Sequence, residues 1–230
     1  MFYECYPIST WKRQQGMTLN RDPDIICFKH CGRKIFVFSV PSHCPVCSLP
    51  LSQSNEVQPF TLPYPFVNAT QCPCSVVLRS SHGDFLSNFQ NSVNLHIALT
   101  DSCGSIVEFD SPGLLWTPAR NVDKAQWRQC VLIMQVPEAW YAEWDQTLRN
   151  VIDHEGWRRK QYDEDHVNCY SFVLDFLRHL QYEDTSQFVH DRQTFSTKFV
   201  VPKTAYAAKF ITIFRRIKDN GFWPDEINSE

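Results

Sequence analysis

Two side chains that together make an activated thiolate stand far apart in this chain. His96 lies within Leu95-His96-Ile97-Ala98-Leu99, whose alternation reads as a strand, and Asn168-Cys169 opens a segment with helical spacing. A helix N-terminus and an imidazolium both stabilise S⁻, so a cysteine there, facing a strand histidine, is a nucleophile at neutral pH. A third polar group has to orient the imidazole. Glu108, on the returning strand of the hairpin that carries His96, is the candidate. Such a trio supports acyl transfer to water through a thioester, with the Cys169 backbone N–H contributing to an oxyanion hole. Asp165 and His166, just before the helix, are candidates for assisting substrate binding. Taken singly the same residues are bland, because a cysteine on an apolar helix face is most often core.

A second constellation lies near the N-terminus. Cys44-Pro45-Val46-Cys47 is a C-P-x-C knuckle, a tight turn that aims two thiolates at one ion. Upstream stand Cys27, His30 and Cys31, separated from the knuckle by an apolar strand at 35–40. Two ligands, a strand and a knuckle fit a small zinc ribbon, in which Zn staples a unit too short to fold on its own core. Spacing leaves the fourth ligand as Cys27 or His30. A pair of ordinary cysteines, or a redox-labile C-x-x-C, is the alternative. Cys72-Pro73-Cys74 is too tight for a zinc pair and reads as structural, while Cys5, Cys103 and Cys130 have no motif around them.

The elements that must position these groups follow from periodicity. Residues 1–23 read as a flexible arm, 24–51 as the cysteine-rich unit and 52–72, Ser/Gln/Asn- then Pro-rich, as a linker. Residues 73–222 form the main domain and 223–230 a tail. In the main domain, 75–79 is a strand, 93–99 alternates with His96 and Ala98 opposite the long aliphatics, 105–109 returns the hairpin, and 129–136 is a further strand. Helices are expected at 139–152, 169–181 and 204–220, the last stopped by Gly221. The helix that opens at Cys169 should cross the sheet face bearing His96, where the small Ala98 leaves room. Strands and helices alternate loosely with hairpins, so the class is α+β.

Composition narrows the function classes. The 230 residues are 43% hydrophobic and 14% aromatic, enough for a sizeable core. A formal net charge of −3 leaves no electrostatic footprint for nucleic acid. No signal peptide or membrane span is legible, so the expected location is cytoplasmic and/or nuclear, and the ten cysteines read as ligands, nucleophiles or buried small residues. In that setting the sequon Asn68-Ala69-Thr70 goes unglycosylated. The basic run Trp157-Arg158-Arg159-Lys160 faces acidic Asp163-Glu164-Asp165 in sequence and reads as a solvated loop with internal ion pairs.

The segment Tyr162 to Phe172, with Asn168-Cys169-Tyr170-Ser171-Phe172 at its end, is similar to the Tyr…Asn-Cys-x-x-Phe signature of PPPDE-type peptidases and lecithin retinol acyltransferase-like proteins. In those families, as here, the strand histidine precedes the cysteine. The resemblance implies a circularly permuted papain-like (NlpC-type) domain and a Cys–His thiol hydrolase: isopeptidase, peptidase or thioesterase. Its partner would be a protein substrate, with a ubiquitin-like conjugate among the classes implied. Glu108 stands where the acyltransferase branch carries a second histidine. Over nearly its whole length the chain also resembles the makorin-2 opposite-strand protein family, through Phe28-Lys29-His30-Cys31, Cys44-Pro45-Val46-Cys47, Leu95-His96, Asn168-Cys169-Tyr170-Ser171 and Lys209-Phe210-Ile211-Thr212. That family's pattern implies the ligand set His30, Cys31, Cys44 and Cys47. The competing reading is an inert protein-interaction module with a structural zinc unit. Oligomeric state is not legible.

Overall fold

The computed structural model describes residues 22–53, 58–90 and 94–225. In chain order its strands are β1 (Ile26–His30), β2 (Arg33–Val37), β3 (Phe60–Thr61), β4 (Phe66–Val67), β5 (Ser75–Ser80), β6 (Leu95–Thr100), β7 (Ile106–Asp110), β8 (Gly113–Thr117), β9 (Cys130–Gln135) and β10 (Phe222–Pro224). The helices are α1 (Lys124–Trp127), α2 (Tyr141–His154), α3 (Cys169–Leu180), α4 (Glu183–Ser186), α5 (Arg192–Phe195) and α6 (Val201–Asn220). The class is α+β with two antiparallel sheets, and no helix among the described residues is long and apolar enough to cross a membrane. The chain divides into two compact units, one of Met1–Tyr64 with Thr212–Glu230 and one of Pro65–Ile211.

The first unit is a four-stranded sheet in the order β10-β2-β1-β3. β1 and β2 form a hairpin closed by Cys31 and Gly32, with φ of 46° and 76°, the left-handed pair that a two-residue hairpin turn needs. Gly32 adopts this without penalty, whereas Cys31 does so against its Cβ. One sheet face buries Phe28, Ile35, Val37 and Cys44, packed by Ile26, Val46, Leu51 and Phe222. β10 pairs with β2, and Trp223 stacks on Phe36 at 5.5 Å. Two expectations change here. Phe222–Pro224 is a sheet strand that takes in the first two residues of the tail expected at 223–230, and the linker at 52–72 contains β3 and β4. Short strands broken by Pro63 and Pro65 carry too few residues for a period to be read. The expected arm lies almost wholly outside the described residues, as do 226–230 of the tail.

The second unit is built on six antiparallel strands in the order β4-β9-β5-β6-β7-β8. Its two faces are covered differently. Val77, Ala98 and Ile106 point to one side, where Trp127, Val122, Ala69 and Cys130 close over them. On the other side Phe109 meets Phe172 of α3 and Trp157, while Trp144 of α2 packs on Phe176 and donates its indole N–H to the Thr100 carbonyl at 2.9 Å. α2 starts after a short 3₁₀ turn at Glu138–Trp140, two residues later than its apolar spacing suggests. α6 starts three residues earlier than expected, because it continues directly from a π-helical turn at Ser196–Val200 that follows α5, with Pro202 just after that turn. Gly104 (φ +73°) turns the chain from β6 towards β7 so closely against the Thr70 carbonyl that any Cβ there would collide with it. β8 was not legible, as Gly113 and Pro112 interrupt its pattern.

Candidate functional site

Asn168 fixes where α3 begins. Its extended backbone (φ −130°) ends the preceding loop, and its side-chain oxygen accepts from the Tyr170 and Ser171 N–H groups at 3.0 and 3.2 Å. Ser171 Oγ in turn accepts from the Asn168 N–H at 2.7 Å, completing a capping box. Asn168 Nδ2 also donates to the Glu164 carbonyl at 2.7 Å, tying the loop to the helix start. Cys169 is therefore held at the first helical position, within the positive end of the helix dipole.

The helix does not cross the face of His96, as the sequence suggested; it packs on the opposite one, against Phe109. The thiol reaches the histidine because the β6–β7 ladder runs only through Leu99↔Val107 and Thr100↔Ile106. Beyond Leu99 the β6 backbone has no β7 partner, and the Ile97 N–H points to the Cys169 sulfur instead. His96, next in the strand, is hydrogen-bonded to the same thiol. His96 Nε2 donates to Glu108 Oε2 at 2.7 Å, so Nδ1 is the ring nitrogen left for another partner. Cys169, His96 and Glu108 are 7%, 5% and 8% exposed. All three residues named from the sequence thus come together in one buried cluster.

Electrostatics favour the charge-separated form of this pair. Burial on its own raises the Cys169 thiol, but the His96 hydrogen bond, the Ile97 and Tyr170 N–H groups and the imidazolium charge together hold it below the ordinary thiol range. Burial on its own lowers His96, yet its bonds to Cys169 and Glu108 and their negative charge push the imidazole up to about 9. Opposite shifts on the two partners favour a thiolate–imidazolium pair. The arrangement can supply a nucleophile, a proton donor and an orienting carboxylate.

Three neighbours were not named from the sequence. Arg79 pairs directly across β5–β6 with His96 and sets Nη2 3.7 Å from Glu108 Oε2. Trp127 stands edge-on to the His96 ring at 6.2 Å and beneath the Arg79 guanidinium at 4.8 Å. Asp110 brings a further carboxylate within 4.8 Å of the His96 and Glu108 ligand atoms. Only strand pairing reveals Arg79, and pairing is not written in a single strand's period. Asp165 and His166 are exposed, and their backbone N–H groups bond Asp163 Oδ1 rather than the pair. Arg158 of the basic run pairs with Asp153 at 3.1 Å, and Lys160 lies over the Trp157 ring at 3.7 Å.

The second cluster sits in the first unit. His30, Cys31, Cys44 and Cys47 bring one ligand atom each to within 4.8 Å of one another. Cys31 and Cys44 sulfurs are 3.9 Å apart, and Cys47 Sγ is 3.3 Å from His30 Nδ1. A tetrahedral ion with ligand bonds of about 2.0–2.3 Å has edges of roughly 3.3–3.8 Å, so the spacing fits a metal centre. The hairpin turn presents His30 and Cys31. The knuckle presents Cys44 and Cys47, with Ser48 (φ 63°) closing the turn through its N–H to the Cys44 carbonyl at 2.9 Å. Burial raises the Cys44 thiol, but the Cys47 and Val46 N–H groups aimed at it, with the neighbouring thiols, draw it below its ordinary value. Strand parity decides between Cys27 and His30. His30 shares the face of Phe28 with the knuckle, whereas Cys27 points to the other side and its thiol is raised by burial.

The chain matches the family model described as DUF4796 N-terminal over residues 23–51 and that described as DUF4796 C-terminal over 59–217. It is 32% identical over 203 residues to the human MKRN2 opposite strand protein, covering 86% of this chain and 88% of that one. No solved structure matches it. The first match holds all four sulfur and nitrogen donors and the second holds His96, Glu108 and Cys169, and on this evidence the chain belongs to the DUF4796 family.

Proposed function

We propose that the chain is a thiol hydrolase of the permuted papain-like kind, with Cys169 as nucleophile, His96 as acid and base, and Glu108 as the residue that orients the imidazole. The observation that carries this reading is the carboxylate-backed His96 bonded to a cysteine at a capped helix start. The thiolate adds to an acyl carbon, and the imidazolium gives its proton to the departing amine or thiol, leaving a thioester. Neutral His96 then takes a proton from water as the water oxygen adds to the thioester carbon. The acid is released, the proton returns to the pair and the thiolate is restored. Substrates would be peptide, isopeptide or S-acyl compounds, a ubiquitin-like protein conjugate among them. In the first unit, His30, Cys31, Cys44 and Cys47 would hold Zn as a structural ion in a ribbon-like site, fixing two turns that carry little core of their own.

The test is intact-mass labelling of native protein with a limiting thiol electrophile across pH 5 to 9, beside His96→Ala. Fast labelling at Cys169 that persists at low pH and collapses in the variant supports the pair. Silence at Cys169 while other thiols label normally overturns it. The near-complete burial of all three residues favours a second reading, an inert protein-interaction module. Under that reading the pair is a buried structural ion pair, and the silent outcome is the expected one.

A further inference from the structure

The guanidinium of Arg79 is held in a way that core packing does not require. Its side chain is 11% exposed, and it places a full charge beside the same Glu108 oxygen that His96 uses, at 3.7 Å against 2.7 Å. Nη1 donates to the Ser80 carbonyl at 3.0 Å, while the buried Nε has no acceptor. An orphaned guanidinium N–H carries a desolvation cost. A leucine or methionine packed on Trp127 would avoid it. The cation nonetheless lies over the Trp127 ring at 4.8 Å and directly opposite His96 in the β5–β6 register.

Among the described residues, the charged and titratable groups facing His96 are few. Arg79 comes from β5, Glu108 and Asp110 from β7, and Cys169 from α3. Two carboxylates and a thiolate all favour the imidazolium, and unopposed they would hold its proton too tightly for His96 to serve as a base towards water. Arg79 is the only cation among these neighbours. We propose that Arg79 is a positioning residue for the pair, dividing the Glu108 carboxylate with His96 so that the imidazole can both take up and release a proton. The inference rests on the hydrolase reading for its purpose, but it concerns the imidazole and is measurable without turnover.

The experiment follows the His96 ring carbon by NMR across pH 5 to 11 in the full chain carrying Cys169→Ala, which removes the coupled thiol. Arg79→Met should raise the His96 midpoint by about one pH unit, as loss of a nearby cation predicts. Arg79→Lys should return it to near the Arg79 value. A Met variant that melts cooperatively yet keeps or lowers the midpoint overturns the proposal, as does a Lys variant displaced as far as Met. If Arg79→Met does not fold, Arg79→Gln carries the same expectation. Labelling of Cys169 in the unmodified chain tests the hydrolase reading separately, so failure of one is distinguishable from failure of the other.

Discussion

Both clusters are made of cysteine and histidine, but the histidines have different partners. His30 faces sulfur, with Cys47 at 3.3 Å and no carboxylate in the group of four. His96 faces a carboxylate on one edge and a single thiol on the other. A carboxylate on one ring nitrogen raises an imidazole's affinity for a proton, and only while it is protonated does the ring lack a lone pair for a metal. Three thiols and an imidazole that faces sulfur form instead a set that could converge on one metal ion. Backbone sources differ in the same sense. The first cluster hangs on two tight turns, one of which puts Cys31 on the surface in a left-handed conformation. The second is clamped between a helix start and the divergent end of a strand ladder. Turns bring ligands together cheaply for an ion to lock, whereas a polarised pair needs a frame that is rigid before any ligand arrives.

The largest effect that bears on this contrast is loss of metal. Structural zinc supplies about 10–16 kcal/mol in small zinc-binding peptides. Cys44→Ser should therefore lose stoichiometric zinc, read by elemental analysis, and broaden or remove the first unit's part of the thermal transition. The same substitution should leave Cys169 labelling unchanged. A protein that purifies metal-free with an unaltered melt would break the comparison at its first term.

Next in size is the imidazole itself. His96→Ala should cut Cys169 labelling at pH 6 by about 10- to 100-fold, because the remaining helix dipole is the weaker of the two stabilisers of S⁻. His30→Ala should not alter that rate. Glu108→Gln sharpens the point through pH. His96 holds its proton to about pH 9 in the fold, against an ordinary value of 6.5. The stability this gives is complete below about pH 6.5 and is lost as pH rises through about 9. Breaking the His96–Glu108 bond should therefore cost about 1–3 kcal/mol near pH 6.5, on the order of 5 °C in Tm. The gap between wild type and variant should narrow as pH approaches 9.5. A gap independent of pH would mean that the bond joins neutral groups.

The two clusters also differ in how far they can be read without coordinates. Cys44-Pro45-Val46-Cys47 is local, so its geometry is implicit in four residues, and strand parity alone separates His30 from Cys27 once β1 is placed. Cys169 was legible because Asn168 and the following apolar spacing announce a helix start, and His96 because Leu95–Thr100 alternates. Their meeting was anticipated but the route was not. The sequence pattern puts His96 opposite the aliphatics that α3 covers, and only the early end of the β6–β7 ladder lets the thiol pass to it. Arg79 was invisible for a related reason: its importance lies in being opposite His96, a relation between strands. Residues 223–230 read as a tail because no period follows Gly221, though pairing with β2 makes Phe222–Pro224 a strand.

The smallest effect comes from the residue that holds Cys169 in place. Asn168→Ala removes the capping box and should cost about 1 kcal/mol, a shift of roughly 2–4 °C in Tm. Because the same side chain sets the helix start, labelling at Cys169 should also slow. Asn168→Asp separates the two consequences. A carboxylate still caps the Tyr170 and Ser171 N–H groups but loses the Nδ2–H bond to the Glu164 carbonyl, so the melt should fall about as far as in Asn168→Ala. It also puts a negative charge one residue from the sulfur, which disfavours the thiolate. The acid limb of Cys169 labelling should then move to higher pH in Asn168→Asp than in Asn168→Ala at comparable stability. An equal shift in both variants would mean that the cap acts on the thiol through helix geometry alone, and that the amide's lack of charge is incidental to the site.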